Sequence, residues 1–413
     1  MAGKNGGLTR SWVVVMTAGA FFFYSFIQMT LFSTQAMKQH FMELLSLQDA
    51  AALGNFAGTF LYGTVIFLIP VGVLLDKVSV KKLILAMLAL VIVCAFGLIY
   101  TTNVYVAMVL RFAAGVAHCV AFMAPFRLAP RWFPSSRLAL AAGLLVTFAV
   151  FGGWVSGPPM LACITAIGVQ ATLMLNAGLG LVIFALVALF VKDYPDGGEA
   201  RADRDQALPL ATGLKTAAAN RQNWLAGGYT GLLNLAVLLL AALWGSDYLA
   251  MMYPDLSEET VTGIIGMILI GTMIGSPLCG WVSDRVKTRK GAMLGGAVLS
   301  LAVMLAIMFI PGLGPGGLYL LFLLLGIITA AQSLGYPVIA EANEDRVLGT
   351  ANGLAAVVIM GMGAIGQPLF GQLVSLLGGD TPGAYSKAIW VMPISFCGAV
   401  VCALCSRETF KRE

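Results

Sequence analysis

Arg111 and His118 stand seven residues apart in a long apolar run, and together they are the sharpest chemical signal in the chain. Seven residues is close to two helical turns, so the two side chains share nearly one face. Arg111 falls about seven residues into the fourth apolar segment, roughly ten ångströms deep at about 1.5 Å per residue. A cation at such depth costs on the order of 3 kcal/mol on insertion scales, and such residues usually mark a substrate or proton pathway. A fixed positive charge can hold an anion, and an imidazole can move a proton near neutral pH. Each residue also has a plainer reading: an arginine bonded to the carbonyls of a neighbouring helix, and a neutral histidine satisfied in the packing. On the functional reading, Arg111→Ala abolishes activity and leaves folding intact.

What surrounds these two residues is as informative. No Asp or Glu falls in the middle of any apolar segment; Asp247 and Glu341 lie near segment ends. Cation carriers tend to need a mid-membrane carboxylate, so the pattern turns the expectation toward anionic or zwitterionic solutes. Proton coupling would then use His118, Glu341, Asp247 or the solute's own carboxylate. Uncharged polar residues recur at helical spacing: Tyr24 and Gln28, Tyr62, Asn234, Gln332 and Tyr336, and Gln367. Singly, each reads as a helix–helix hydrogen bond; as a set, with Arg111 and His118, they are the candidate solute-binding residues. The two histidines and the missing deep acids argue against a membrane enzyme. No G-x-x-x-x-G-K-[ST] loop is present to hold nucleotide, and neither cofactor nor metal is expected.

These residues need a membrane scaffold. Hydrophobic residues make up 59% of the 413 and charged residues 10%, far fewer charges than a soluble surface needs. About twelve apolar segments can be counted, each near the ~20 residues a helix needs to cross a bilayer: 12–34, 50–74, 83–100, 104–126, 138–160, 168–191, 224–249, 260–283, 292–310, 317–340, 350–376 and 387–405. The first is too long for a signal-peptide core and reads as a retained helix. The seven cysteines show no disulfide pattern. With both termini placed in the cytoplasm, 21 of the 24 Lys and Arg fall inside, Lys38 and Lys387 fall outside, and Arg111 lies within a helix. That bias predicts an inner-membrane protein with both termini cytoplasmic. It leaves no nucleic-acid patch.

The stretch Gly72-Val-Leu-Leu-Asp76-Lys77-Val-Ser-Val-Lys81-Lys82 returns 208 residues later as Gly280-Trp-Val-Ser-Asp284-Arg285-Val-Lys-Thr-Arg289-Lys290. Gly115…Pro125 is echoed by Gly326…Pro337, and Arg137…Gly157-Pro158 by Arg346…Gly366-Gln367-Pro368. One duplication explains them all. The polar interval 192–222 separates the copies, giving a first six-helix bundle over 1–191, a cytoplasmic linker, and a second bundle over 223–413. Asp76 and Asp284 can accept hydrogen bonds from the start of a helix in the opposite half. With Lys77 and Arg285 they form a candidate gate. Arg131 and Arg137 face the acidic run Glu341-Ala-Asn-Glu344-Asp345-Arg346 in an equivalent place, which suggests cross-half pairs closing the cytoplasmic mouth.

These motifs resemble the major facilitator superfamily along essentially the whole chain. Gly72–Lys82 matches that family's loop between helices two and three, with Lys77 where arginine is commoner. Arg111-Phe-Ala-Ala-Gly115 resembles its helix-four Arg-x-x-x-Gly signature. Gly153-x-x-x-Gly157-Pro158 resembles part of the helix-five pattern of antiporters, without the following Gly-Gly. Arg131-Trp-Phe-Pro-Ser-Ser-Arg137 with Gly143 is similar to the organic-anion branch of oxalate–formate exchangers and monocarboxylate carriers, and equally to carriers of intracellular bacteria. The resemblance implies an all-α fold of twelve transmembrane helices in two pseudo-symmetric bundles, with helices three, six, nine and twelve outside the cavity. The expected function is secondary transport, by alternating access, of a small carboxylate or amino acid with a proton or a counter-substrate, by a monomer in the lipid bilayer. The alternative is an efflux antiporter for a drug or a polycarboxylate siderophore-like metabolite.

Overall fold

In lipid, a backbone must satisfy its own polar groups, and the helix does so within one segment. The computed structural model describes residues 2–195 and 210–410, and every regular element within them is helical. The first half contains α1 (Ala2–Met29), α2 (Gln35–Leu44), α3 (Ala50–Lys77), α4 (Val80–Tyr100), α5 (Val104–Trp132), α6 (Ser135–Val155), α7 (Pro158–Ile167) and α8 (Val169–Phe190). After α9 (Leu210–Ala219), the second half contains α10 (Arg221–Leu235), α11 (Gly245–Met252), α12 (Glu258–Val286), α13 (Arg289–Phe309), α14 (Pro315–Thr329), α15 (Gly335–Ala342), α16 (Asp345–Leu376), α17 (Pro382–Ala388) and α18 (Val391–Cys405). Twelve spans result, with α6–α7, α10–α11, α14–α15 and α17–α18 each making one broken span. An even number of spans brings both termini to one face, here called the basic face.

Helix starts are set by local chemistry. Asp49, Asn103, Ser257 and Thr288 each accept a backbone N–H in the first turn of the helix that follows, satisfying groups that helix ends leave unpaired. Pro158, Pro315 and Pro382 occupy first-turn positions, where no N–H is needed.

The duplication is visible in the packing. In the first half α3 presses on α5: a methyl group on Gly63 would strike the Phe112 carbonyl, and one on Gly115 the Phe60 carbonyl. In the second half α12 presses on α14 in the same way, with Gly271 against the Leu323 carbonyl and Gly326 against that of Ile268. Gly63 and Gly271 are 208 residues apart, the spacing of the repeated loop. Backbones can approach this closely only where no Cβ intervenes.

The halves meet along α3–α16 and α6–α12. Toward the face opposite the termini they touch closely: Gly371 against the Ala50 carbonyl, Gly54 against Gln367 and Pro368, and Gly266 against Pro158. Ala51 N–H donates to Ser375 Oγ at 3.2 Å. Toward the basic face, a methyl group on Gly143, Gly349 or Gly353 would meet nothing. The seam is thus closed at the far face and looser at the basic one.

Three elements go beyond the sequence expectations. The far-face loop between α1 and α3 contains the helix α2, capped by Thr34. The polar interval contains α9, packed on α16 through Gly213 and Thr350; residues 196–209 of that interval lie outside the described part. Between α10 and α11, Ala236–Trp244 winds as a π-helix, a form most often found as short bulges at functional positions.

Candidate functional site at the seam between the halves

Arg111 lies on α5, 1% exposed. Its Nη1 donates to the Gln28 carbonyl at 2.7 Å and its Nη2 to the Ala57 carbonyl at 3.3 Å. The guanidinium is sandwiched by Phe32 and Phe60, each ring centroid 4.9 Å away. It therefore ties α1, α3 and α5 together within the first half. His118, two turns on, is also 1% exposed, lying 2.8 Å from Ser25 Oγ through Nδ1 and ringed by Phe22, Phe26 and Phe60. Both lie inside the first bundle, Arg111 bonded to carbonyls of two neighbouring helices and His118 packed among aromatic rings. Nε of Arg111 and Nε2 of His118 have no protein partner.

The other candidate binding residues divide into two sets. Tyr24 is fully buried against Gly180 of α8, away from the seam. Gln28 is buried, with its side-chain nitrogen unpartnered. Tyr62, Asn234, Gln332 and Tyr336 are partly exposed, on the α3, α10 and α14–α15 spans. Gln367 is buried on α16, where its Nε2 donates to the Leu238 carbonyl at 2.7 Å, and its own carbonyl accepts from Trp244 Nε1 at 3.0 Å. Both of these contacts fall within the π segment. Such a segment offsets the usual carbonyl partners, and here neighbouring side chains take them up.

At the basic face the charges sort by half. Asp284 accepts from Arg289 Nη1 at 2.6 Å, and Glu341 accepts from Arg289 Nε at 3.1 Å and Nη2 at 3.0 Å. The sequence reading turns Asp284 to a helix start in the opposite half, and Glu341 to Arg131 and Arg137. Both instead meet Arg289, which is nearer in their own bundle and offers a planar fork suited to two carboxylates. Arg131 stacks over Tyr194, 4.6 Å from its ring centroid. Lys77, Arg137, Arg285 and Arg346 are exposed; the side chain of Asp76 lies outside the described part.

Each bundle also clamps its own repeated loop. Asp193, just after α8, accepts the Lys81 N–H at the start of α4 at 2.8 Å. Glu408, just after α18, accepts the Arg289 N–H at 2.8 Å and the Lys290 N–H at 3.3 Å at the start of α13, and also bonds Thr288 Oγ1. Burial alone would raise the Glu408 carboxyl. Hydrogen bonds from Thr288 and from the N–H groups of Phe410, Arg289 and Lys290 instead hold it at about 2.

A feature unanticipated from sequence lies at the far face. Lys38 of α2 is 2% exposed, and its Nζ donates to Asp247 Oδ2 at 2.5 Å, Ser246 Oγ at 2.8 Å and the Leu243 carbonyl at 3.0 Å. Gln35 Nε2 donates to the Ser246 carbonyl at 3.3 Å and the Ala36 N–H to Glu258 Oε1 at 2.8 Å. All five contacts join the first half to the second. Burial lowers the Lys38 ammonium below its usual range, and Asp247 only partly offsets this. The available signal was the amphipathic run Met37-Lys38-Gln39-His40-Phe41 after a Thr cap.

A family model described as Major Facilitator Superfamily matches residues 14–366. The chain belongs to the Major Facilitator Superfamily. Among known superfamily folds, it aligns with a bacterial homolog of the human lysosomal transporter Spinster, in an inward-facing, unoccupied conformation. The TM-score is 0.71 at 14% identity, over 96% of this chain and 95% of that one. The nucleoside transporter NupG aligns with a TM-score of 0.72 at 15% identity, over 95% and 98%. In sequence, the chain is 26% identical over 273 residues to a probable sulfoacetate transporter, SauU, of Cupriavidus necator, covering 62% of each chain. It is 26% identical over 319 residues to the choline/ethanolamine transporter flvcr2a of Danio rerio, covering 70% of this chain and 65% of that one. The matched stretches thus span less than two thirds of either relative.

Proposed function

We propose that this superfamily member is a secondary transporter for a small organic solute carrying a carboxylate, and that it works by alternating access in the cytoplasmic membrane with its basic face inward. The bundles 1–191 and 223–413 are the moving bodies. The observation that carries this reading is the uneven seam: polar, detachable contacts close one face, while glycines at the other border open space. A seam closed at one end only is one half of an alternating cycle.

The solute's charge is argued from what the membrane interior holds. Asp247 at the end of the seventh span faces Lys38, whereas Arg111 has carbonyls and rings as its partners. With Asp247 answered by Lys38 from the loop, Arg111 is left as the fixed charge at mid-span depth among the described residues, and its field favours an anionic or zwitterionic solute. The name of the sulfoacetate relative agrees with an anion; the choline/ethanolamine name points to the opposite charge. Purified protein in proteoliposomes should take up one of a labelled panel of carboxylates, sulfonates and amino acids, and an inward proton gradient should accelerate accumulation. Uptake of choline or ethanolamine alone would overturn the charge assignment. Exchange only against preloaded solute would make it an antiporter.

A further inference from the structure

Lys38 fills a seat built entirely by the other half of the molecule. The seat is the Leu243 carbonyl, Ser246 Oγ and Asp247 Oδ2, at the junction of the π segment and α11. Two further acids face the same ammonium from neighbouring elements: Glu258 at the start of α12, and Asp380 just before α17. Asp380 accepts from Tyr385 at 3.2 Å. His40 and Glu43 lie further along α2, Tyr248 and Tyr253 follow Asp247, and Glu259 follows Glu258. The second half thus presents three acids at this point, and the first half answers with one buried lysine.

Opening the outer face must withdraw that lysine. Helix α2 hangs between the first two spans of the first half, and α11 ends the first span of the second, so separating the halves carries Nζ away from Asp247. An acid left in a half-desolvated seat without a counter-charge is strongly unfavourable. We propose that this seat is a monovalent-cation site, filled by the tethered Lys38 ammonium when the outer face is closed and by a proton on Asp247 or a sodium ion from outside when it opens. The inference rests on the alternating-access reading above. The seat lies at the outer end of its span, so the cation returns outward as Lys38 re-seats. The site therefore sets the balance between open and closed outer faces, and does not itself carry charge across the membrane. Outer acidity, or outer sodium, favours the open state.

Three links support the lysine in this role. Phe41, one turn beyond Lys38, packs on Phe32 and Phe56 at 5.4 and 6.0 Å between ring centroids. Phe32 in turn lies against the Arg111 guanidinium. The bonds of Gln35 and Ala36 to the second half orient the start of α2. Arg111 is thereby a positioning residue for the latch, acting through Phe32 and Phe41.

The test is hydrogen–deuterium exchange of the full-length protein in lipid nanodiscs, read at residues 35–57 and 364–376, which line the outer seam. Exchange is compared between slightly alkaline and mildly acidic buffer, corrected for intrinsic rates, in N-methylglucamine salts. It is then compared with and without sodium at alkaline pH. A wild-type rise of about threefold or more with acid identifies the proton, and a like rise with sodium identifies that ion. Asp247→Asn should exchange fast under every condition; if it folds poorly, Lys38→Met, which keeps the apolar stem, should exchange faster than wild type in alkaline, sodium-free buffer, and acid should no longer speed it. Wild-type indifference to both cations would overturn the proposal, as would an Asp247→Asn protein that keeps the response. Solute counterflow on the same preparation separates the two ideas: a cation response without counterflow leaves the latch and removes the transport reading.

Discussion

The Arg111 guanidinium bonds two main-chain carbonyls, Gln28 and Ala57, from two different helices. Hydrogen bonds from a charged donor contribute about 1.5–3 kcal/mol each, and deleting the donor leaves both carbonyls buried without a partner. Arg111→Ala should therefore lower the free energy of unfolding by about 3 kcal/mol, and transport should fall along with it. Arg111→Lys should recover part of the stability, because one ammonium can reach one carbonyl but not both. Denaturation in detergent, run beside uptake kinetics, decides the matter. A protein of unchanged stability with a raised KM would return Arg111 to direct solute binding. The position was legible because a lone cation in an apolar run stands out whatever its partners are. Its partners were not legible, since every residue supplies a carbonyl and a sequence pattern cannot distinguish one from another. Lys38 shows the converse. Its charge was visible as one of two outer cations, but its burial depends on Ser246 and Asp247, more than two hundred residues away.

At the scale of elements, the repeated loop shows what a duplicated sequence does and does not encode. Both copies end a span and start the next with a Ser or Thr cap, Ser79 for α4 and Thr288 for α13. That much follows from local chemistry, and it was readable. The clamps on the two helix starts, Asp193 and Glu408, come from outside the motif, each just after the last span of its bundle. Neither stood out in sequence, because an acid after an apolar run reads as an ordinary solvated end. Glu408 gives a pH test with a definite sign. Its folded value of about 2 lies below the ordinary 4.5, so docking of residues 404–410 contributes fully above about pH 4.5. The contribution weakens steadily as the pH falls toward 2. Glu408→Gln should release the tail at neutral pH and flatten the acid dependence. Proteolysis of the tail across that range reads it directly; an equally protected tail in the variant would assign the docking to Thr409 and Phe410. Helix α2 escaped the sequence reading for a different reason. At ten residues it is too short for a span, and its amphipathic face became meaningful only once the second half supplied a surface for it.

For the whole molecule, the twelve-span count and the two-fold repeat were legible, because lipid forces each apolar run into a helix and duplication copies the run lengths. The tight contact of α3 on α5 and of α12 on α14, at glycines 208 to 211 residues apart, shows the same repeat acting through packing. How the halves lean on each other was not legible, since run lengths and repeats do not say at which face two bundles meet; the proposed cycle needs them to be free to meet at either. That freedom is what alternating access requires, and it can be removed on purpose. The Ala51 N–H donates to Ser375 Oγ at 3.2 Å across the closed face, so the two positions are neighbours there and a cysteine pair at them is the natural cross-link to engineer. The variant A51C/S375C should fold normally, since both sites border the far end of the seam and neither holds a bundle together. Oxidised, it should lose nearly all net uptake and exchange in proteoliposomes; reduced, it should regain them. Within each bundle the α3–α5 and α12–α14 contacts bring glycine against main chain; across the far face Gly371 and Gly54 also meet carbonyls, but the polar contacts there are single hydrogen bonds to or from side chains that one displacement can break. Locking that face should therefore stop transport while stabilising the fold to heat. Uptake at the wild-type rate in fully cross-linked protein would mean that the far face need not open, and the solute would have to pass by a route other than the seam.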